Sequence, residues 1–381
     1  MRSEEDAMTS NAFGLIYTGE TNPFLRDLAL SRSVAALPFG GRYRCIDFIL
    51  SDLVNSGVTS VGLITQKNYH SLMDHLGAGK EWDLHRKREG LFMLPPFMTK
   101  ENTGLYRGSV DAIRSCLGYV RRCPQQYVIL SGSHTIFNMT FSDMIARHIE
   151  TRANITMLYN ESELAASEEQ NLDLRLLMDA NERVTEMELN PFSPRSAYRS
   201  CDVMILDKLL LEYLVEEAYS HGDYDLTRDI LLKKCQTLKI MGYRYDGYVA
   251  RLDSVNDYFR HNLALLQPEV RNDLFHPAHP IYIKVKDEVS AKYGENAIVK
   301  NSMLADGCQI DGTVENSIVF RGVSVKKGTV VKNSILMQAV SIAENCMMDH
   351  VILDKGVVVR EGRTLTGYDG FPIILKKGTT I

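Results

Sequence analysis

The sequence predicts an α/β domain built on a doubly wound, mostly parallel sheet, followed by a C-terminal parallel β-helix. Three observations carry this expectation. Strand-like and helix-like stretches alternate from Phe13 to about Phe275, as they do where helices cover both faces of a parallel sheet. A proline-broken stretch, Phe275-His-Pro-Ala-His-Pro-Ile-Tyr282, then ends the alternation. Beyond it a short motif recurs as Asn301-Ser-Met-Leu304, Asn316-Ser-Ile-Val319 and Asn333-Ser-Ile-Leu336, with Asp349-His-Val-Ile352 as a looser fourth copy.

Taken in order, Phe13–Thr18 reads as a first strand, Cys45–Ser56 as a helix and Ser60–Thr65 as a second strand. Asp111–Arg122 reads as a helix leading into Tyr127-Val-Ile-Leu-Ser-Gly-Ser-His134. Aromatic and apolar residues followed by small polar ones make this segment a buried strand that ends in a tight turn. Ligands of open α/β sheets bind beyond the carboxyl ends of such strands, so Ser133 is expected to face a cleft. Asp143–Thr151 continues as a helix and Ile155–Tyr159 as a strand. In the C-terminal part, single glycines (Gly307, Gly322, Gly356) alternate with β-branched runs such as Val323-Ser-Val325 and Thr329-Val-Val331. Steps of about six residues within such turns mark a parallel β-helix, whose coils bury their apolar positions on one another. The expected boundaries are 1–275 for the α/β domain, 276–290 for a linker and 291–381 for the β-helix.

Composition narrows the function. A chain of 381 residues has ample core for two domains. Its net charge of −5 argues against a general nucleic-acid binder. No apolar run approaches the roughly 18 residues of a membrane span. Met1-Arg-Ser-Glu-Glu-Asp6 lacks the basic start and apolar core of a signal peptide. The seven cysteines are scattered with no C-x-x-C pair, and the ten histidines show no metal spacing. Reduced buried thiols, no metal and a cytoplasmic location are the expectation.

Two glycine-bearing segments precede helices. Leu37-Pro-Phe-Gly-Gly-Arg-Tyr-Arg44 joins glycines to arginines, a combination that binds anions through backbone amides and guanidinium forks. A surface turn with solvated arginines accounts for it equally well. In Tyr106-Arg-Gly-Ser-Val-Asp-Ala112, Ser109 is a candidate cap and Asp111 suits the helix dipole.

Ala36-Leu-Pro-Phe-Gly-Gly-Arg-Tyr-Arg-Cys-Ile-Asp-Phe-Ile-Leu-Ser51, Asn55-Ser-Gly57, Gly108-Ser-Val-Asp-Ala112, Leu130-Ser-Gly-Ser-His134 and Asp246-Gly-Tyr248 together resemble the ADP-glucose pyrophosphorylases, or glucose-1-phosphate adenylyltransferases. The resemblance spans nearly the whole chain. It implies a nucleotidyltransferase α/β domain followed by a left-handed β-helix. The implied chemistry is attack of a sugar phosphate on the α-phosphorus of ATP, with Mg²⁺ spreading the charge of the departing pyrophosphate.

The departures from the family pattern fall on the catalytic positions. The glycine-rich loop A-G-G-x-G-x-R-L is replaced within Leu15-Ile-Tyr-Thr-Gly-Glu-Thr-Asn-Pro-Phe-Leu-Arg26, where Gly19 remains but Glu20 repels phosphate and Pro23 lacks an N–H. Ser133 and Arg251 stand at the two metal aspartates of the family, Asn190 at the sugar-phosphate lysine, and Val34 at the lysine of R-A-K-P-A. Such charge-stabilising groups are commonly worth about 3 kcal/mol each in a transition state. Their joint loss resembles the non-catalytic regulatory subunits of this family.

The resemblance therefore implies a degenerate active site with no metal or cofactor on this chain. Mg²⁺ is expected on a catalytic paralogue, which the chain would activate within a heterotetramer for glycogen synthesis. Alone it would form a homo-oligomer, and a β-helix face would pack against a neighbouring subunit. Gly40, Gly41, Gly108, Asp111 and Asp225 are candidates for residual ligand contacts. Arg32, Arg44 and Lys376 are candidates for a phosphate-type effector. Two other readings stay open: an active nucleotidyltransferase with its metal moved to Asp111, Asp225 or Asp253, and an acyltransferase using His350 as base.

Overall fold

The computed structural model describes residues 11–19, 22–96, 105–163 and 173–381; Glu20 lies outside them. The first domain is organised by β1 (Ala12–Tyr17), an apolar strand with all but its last residue buried. A small hairpin, β2 (Pro38–Phe39) and β3 (Tyr43–Arg44), precedes the helix Cys45–Asn55. The helix start is fixed by Asp47, whose carboxylate accepts the Arg44 N–H at 2.9 Å. Then come β4 (Ser60–Ile64), β5 (Gly90–Leu94), β6 (Tyr127–Ser131) and β7 (Thr135–Ile136). After these follow β8 (Ile155–Glu161), β9 (Leu174–Met178), β10 (Val184–Leu189) and β11 (Tyr198–Asp207). The last two are β12 (Ile240–Arg244) and β13 (Ala250–Arg251).

Among the described residues the main sheet has nine strands. Strands β5, β4, β1 and β6 run parallel in that spatial order, as the alternating pattern predicts. β11 departs from it, pairing antiparallel with both β6 and β8, while β12 lies parallel to β8. The antiparallel β9–β10 hairpin closes one edge. Val184-Thr-Glu-Met-Glu-Leu189 buries only Val184 and Met187, so it lacks the continuous apolar run of a parallel strand. The helix expected over Asp111–Arg122 is two helices, Ser109–Ser115 and Leu117–Arg122, broken at Cys116.

Residues 276–291 form no helix or strand. They are tied to the first domain: the Asn138 amide donates to the carbonyls of Leu274 and His279, each at 2.8 Å. The Tyr282 N–H donates to Ser51 Oγ at 2.9 Å. Beyond them, three parallel sheets of five short strands each build a left-handed parallel β-helix. Val319 pairs with Leu336 and Leu336 with Leu353, and these side chains stack inside the coil.

The repeated Asn-Ser pair forms one corner of three successive coils. Asn301, Asn316 and Asn333 have φ of 39°, 46° and 43°, a left-handed conformation that asparagine tolerates better than most residues. Each following serine accepts the backbone N–H one coil on, Ser317 to Ser302 and Ser334 to Ser317, both at 3.1 Å. The domains share one apolar interface, in which Phe320, Ile335, Met337 and Ile352 of the β-helix join Leu37, Phe39 and Phe48. No helix among the described residues is long and apolar enough to cross a membrane. All seven cysteines are free and buried.

Candidate functional site

The carboxyl ends of β1 and β6 open onto a cleft of about 420 Å³. Its wall runs from Tyr17 and Gly19 past Leu130–Gly132 to Met157 on β8 and Met204 on β11. Gly108, Ser109 and Asp225–Thr227 form another side. The fit between these two segments is tight: a Cβ on Gly108 would stand 2.2 Å from the Tyr224 carbonyl oxygen. Val110 N–H donates to that same carbonyl, and Leu226 N–H to Ser109 Oγ, each at 2.9 Å.

Arg251 also lines the cleft. β13 pairs antiparallel with β7, setting Arg251 opposite Thr135, and Leu252 N–H donates to the His134 carbonyl at 3.1 Å. Ser133 and Arg251, which the resemblance aligns with the family's two metal aspartates, are thereby brought onto adjacent segments. The guanidinium of Arg251 donates to the Ser200 carbonyl at 2.6 Å and to Asp253 at 3.2 Å. Asp253 also binds Arg199, which reaches on to Asp173, and Asp173 pairs with Arg175 at 3.0 Å. His134 stands 3.5 Å from Asp202.

Within this network the carboxylates Asp173, Asp202 and Asp253 are matched in number by Arg175, Arg199 and Arg251. Burial alone would push the Asp253 carboxyl up, but Arg251 and Arg199 hold it below the usual carboxylate range. A dication would meet a guanidinium and carboxylates already engaged by arginines, so this donor set does not fit Mg²⁺. Among the described residues, no group of three or more His, Cys, Asp or Glu side chains is arranged to hold a metal ion.

Several expected roles change. Ser133 does not face the cleft; it is 2% exposed, and Ser131 and Gly132 form the lining there. The chain turns at Gly132, whose N–H is held by the Asp202 carbonyl at 3.0 Å. Asn190 is not a lining residue; it closes a turn, its side chain accepting the Asp173 N–H at 2.8 Å. Asp111 folds back on Arg107, accepting its backbone N–H at 3.1 Å. Asp225 and Gly108 do line the cleft, although the Asp225 carboxylate accepts the Arg228 N–H at 2.8 Å. Asp253, the third relocated-metal candidate, is committed to Arg199 and Arg251. His350 sits at a β-helix corner with φ 51°, bonded to Asp349 at 2.8 Å and packed on Phe259.

Gly40 and Gly41 lie away from the cleft, at the tip of the β2–β3 hairpin, with φ of 59° and 81°. Gly41 instead lines a second cavity of about 110 Å³, formed jointly by the first domain, the linker and the β-helix. Arg32, Arg42 and Arg44 line it from the first domain, Lys284 and Lys286 from the linker, and Arg321, Lys355 and Lys377 from the β-helix. No carboxylate is among its described lining residues. Lys376, the expected contact, is replaced by its neighbour Lys377.

The cations of this basin disturb one another. The Lys286 ammonium is pushed down from its ordinary value by burial and by Arg321 and Arg44. Lys355 is pushed down by burial and by Lys286 and Lys377. Arg44 is lowered mainly by burial, and its guanidinium donates to the Ser71 carbonyl at 2.6 Å. Asp354 of the β-helix holds Arg32 in a buried, two-pronged ion pair. A concentration of cations with lowered proton affinity is what an anion would relieve. Arg32 and the Leu37–Arg44 segment, with Gly41, Arg42 and Arg44, stand out in the sequence, whereas Arg321 and the four lysines come from separate segments. The alternation Ile283-Lys-Val-Lys286 was a usable local signal.

Comparison with known proteins agrees with this two-part architecture. Residues 16–238 match the nucleotidyl transferase family, and residues 287–370 match the GlmU-like C-terminal hexapeptide family. The chain is 40% identical over 357 residues to the glycogen biosynthesis protein GlgD of Bacillus subtilis, covering 93% of this chain and 92% of that one. It is 38% identical to GlgD of Geobacillus stearothermophilus, covering 85% and 84%. It is 33% identical to a glucose-1-phosphate adenylyltransferase of Thermosipho africanus, covering 84% and 78%.

Proposed function

The chain belongs to the nucleotidyl transferase family of the glucose-1-phosphate adenylyltransferases and GlgD proteins, and on that premise we propose that it is a non-catalytic regulatory subunit. In this reading it activates a catalytic paralogue that makes ADP-glucose from ATP and glucose 1-phosphate for glycogen synthesis. The observation that carries the proposal is the state of the metal corner. Arg251 stands where a dication ligand is required, fixed by Ser200 and Asp253, and the neighbouring acids are matched by arginines. An in-line phosphoryl displacement on this surface lacks the charge that stabilises its transition state.

The basin between the domains supports the regulatory half of the proposal. It suits a phosphate-type effector, read by charge-assisted hydrogen bonds. An anion seated there bridges the hairpin, linker and β-helix, and so favours whichever domain arrangement keeps the cations closest. The test is ADP-glucose synthesis with Mg²⁺ by this chain alone, by its paralogue alone and by the two mixed. The expected result is silence alone and stimulation in the mixture. Comparable turnover by this chain alone would restore the reading of an active enzyme with relocated ligands.

A further inference from the structure

Helix Cys45–Asn55 carries an acid that lines neither the cleft nor the basin. Asp52 is 0% exposed, and its Oδ1 accepts the Met139 N–H at 3.2 Å. Its Oδ2 is buried and has no hydrogen-bond partner among the described residues. No cation among those residues pairs with it. Nearby donors are committed elsewhere: Arg44 to Ser71, His75 to Asp47, Lys284 to the Asp74 carbonyl and His148 to Thr156. The titratable neighbour of Asp52 is Tyr245, whose hydroxyl donates to the Asn138 carbonyl at 3.0 Å. A bare carboxylate in such surroundings is far less stable than a neutral acid. Burial accordingly pushes the Asp52 carboxyl well above the usual carboxylate range, opposed only by the Met139 N–H.

The residues beside Asp52 stitch the interdomain linker to the first domain. Ser51 Oγ accepts the Tyr282 N–H at 2.9 Å, and Ser56 Oγ accepts the Phe141 N–H at 2.8 Å. The Asn55 amide donates to the Pro280 carbonyl at 3.1 Å, while Asn138 holds the carbonyls of Leu274 and His279. The last turn of the helix and residues 138–141 therefore grip the linker together, with the unpaired acid where they meet. We propose that Asp52 is a proton-held latch: the neutral acid keeps the linker docked, and loss of its proton frees the linker. An ionised Asp52 has no cation to answer it in this contact, so the stitch opens and the carboxylate reaches water. In the opened chain the carboxyl has its ordinary value of about 3.9. Above that pH each opening releases one proton, so the opening equilibrium rises about tenfold per pH unit until the docked acid itself ionises. The linker runs on into Lys284 and Lys286, so the latch also holds the linker's share of the cationic basin.

The experiment is hydrogen exchange read by mass spectrometry on the full chain and on Asp52→Asn, both at a series of pH values from about 6 to 8. The amide keeps the size of the acid and its acceptor for Met139 but cannot ionise. Comparing the two proteins at one pH cancels the intrinsic pH dependence of exchange. Peptides spanning residues 137–142 and 279–283 are expected to lose protection faster in the wild type, by a factor that grows about tenfold per pH unit. In the wild type they also open ahead of β-helix peptides such as 314–319. A second variant that cannot ionise, Asp52→Ser, is expected to show the same loss of pH response, whatever its own stability. A wild-type to Asp52→Asn ratio that does not change with pH would overturn the latch. Linker peptides that open only together with the β-helix would overturn it as well, since Asp52 would then bear on global stability alone.

Discussion

Arg251 and Asp253 show at the scale of single residues how buried charges are fixed by their partners. Both are nearly inaccessible to solvent, at 6% and 3% exposure, so neither tolerates losing its partner. Asp253→Ala removes the carboxylate that Arg199 and Arg251 share and leaves the buried network with one positive charge in excess. It should cost about 3–5 kcal/mol in a denaturant titration. The Asp253 carboxyl is held low, so its contribution is full above the unfolded carboxylate value of about 3.9 and is lost as pH falls through the lower folded value. Burial pushes His148 down to about 4 and His261 to about 3. The unfolded chain takes up these protons below pH of about 6.5, so stability falls from there toward pH 4. Thermal unfolding across that window should show a declining Tm, and His148→Gln should flatten part of the slope.

Of this network the sequence exposes Arg251 and Asp253, because they sit inside a recognisable motif. Arg175, Arg199 and Asp202 lie on β9 and β11, which carry no motif and come together only through antiparallel pairing. Their role depends on register, and register is not visible in a single chain of letters.

At the scale of elements, the β-helix was the more legible half. Its Asn-Ser corners are periodic, and the periodicity reflects a physical need at each turn. Asn316 and Asn333 hold left-handed backbone, and the Asn301 amide donates to Asn316 at 2.8 Å. Asn333→Ala should destabilise the domain by about 1–2 kcal/mol, while Asn333→Gly, which relieves the backbone strain, should cost less; chemical unfolding distinguishes them. The α/β domain was legible where strands are parallel and wholly buried. It was not legible at the β9–β10 hairpin, whose half-exposed strands give a weak apolar signal, nor at the break at Cys116, where neither proline nor glycine marks the end of a helix.

The whole molecule joins its halves through the apolar interface, the Arg32–Asp354 pair and the cationic basin. The basin was only partly foreseeable, since its charges come from three regions that meet after folding. Lys355→Glu places an acid among those cations and should weaken phosphate binding there by about tenfold or more, measured by equilibrium titration. If the chain regulates a partner, the same substitution should blunt the response of the mixed complex to a phosphate effector and leave assembly intact.

On the proposed function, this chain contributes regulation and not chemistry to an ADP-glucose-forming complex. The most direct measurement mixes it with two forms of the catalytic paralogue: the intact protein, and a variant stripped of its own metal-binding aspartates. Turnover of the intact partner should rise on mixing, and the complex with the stripped partner should make no ADP-glucose. Synthesis of ADP-glucose by that second complex, or no change in the first, would contradict it.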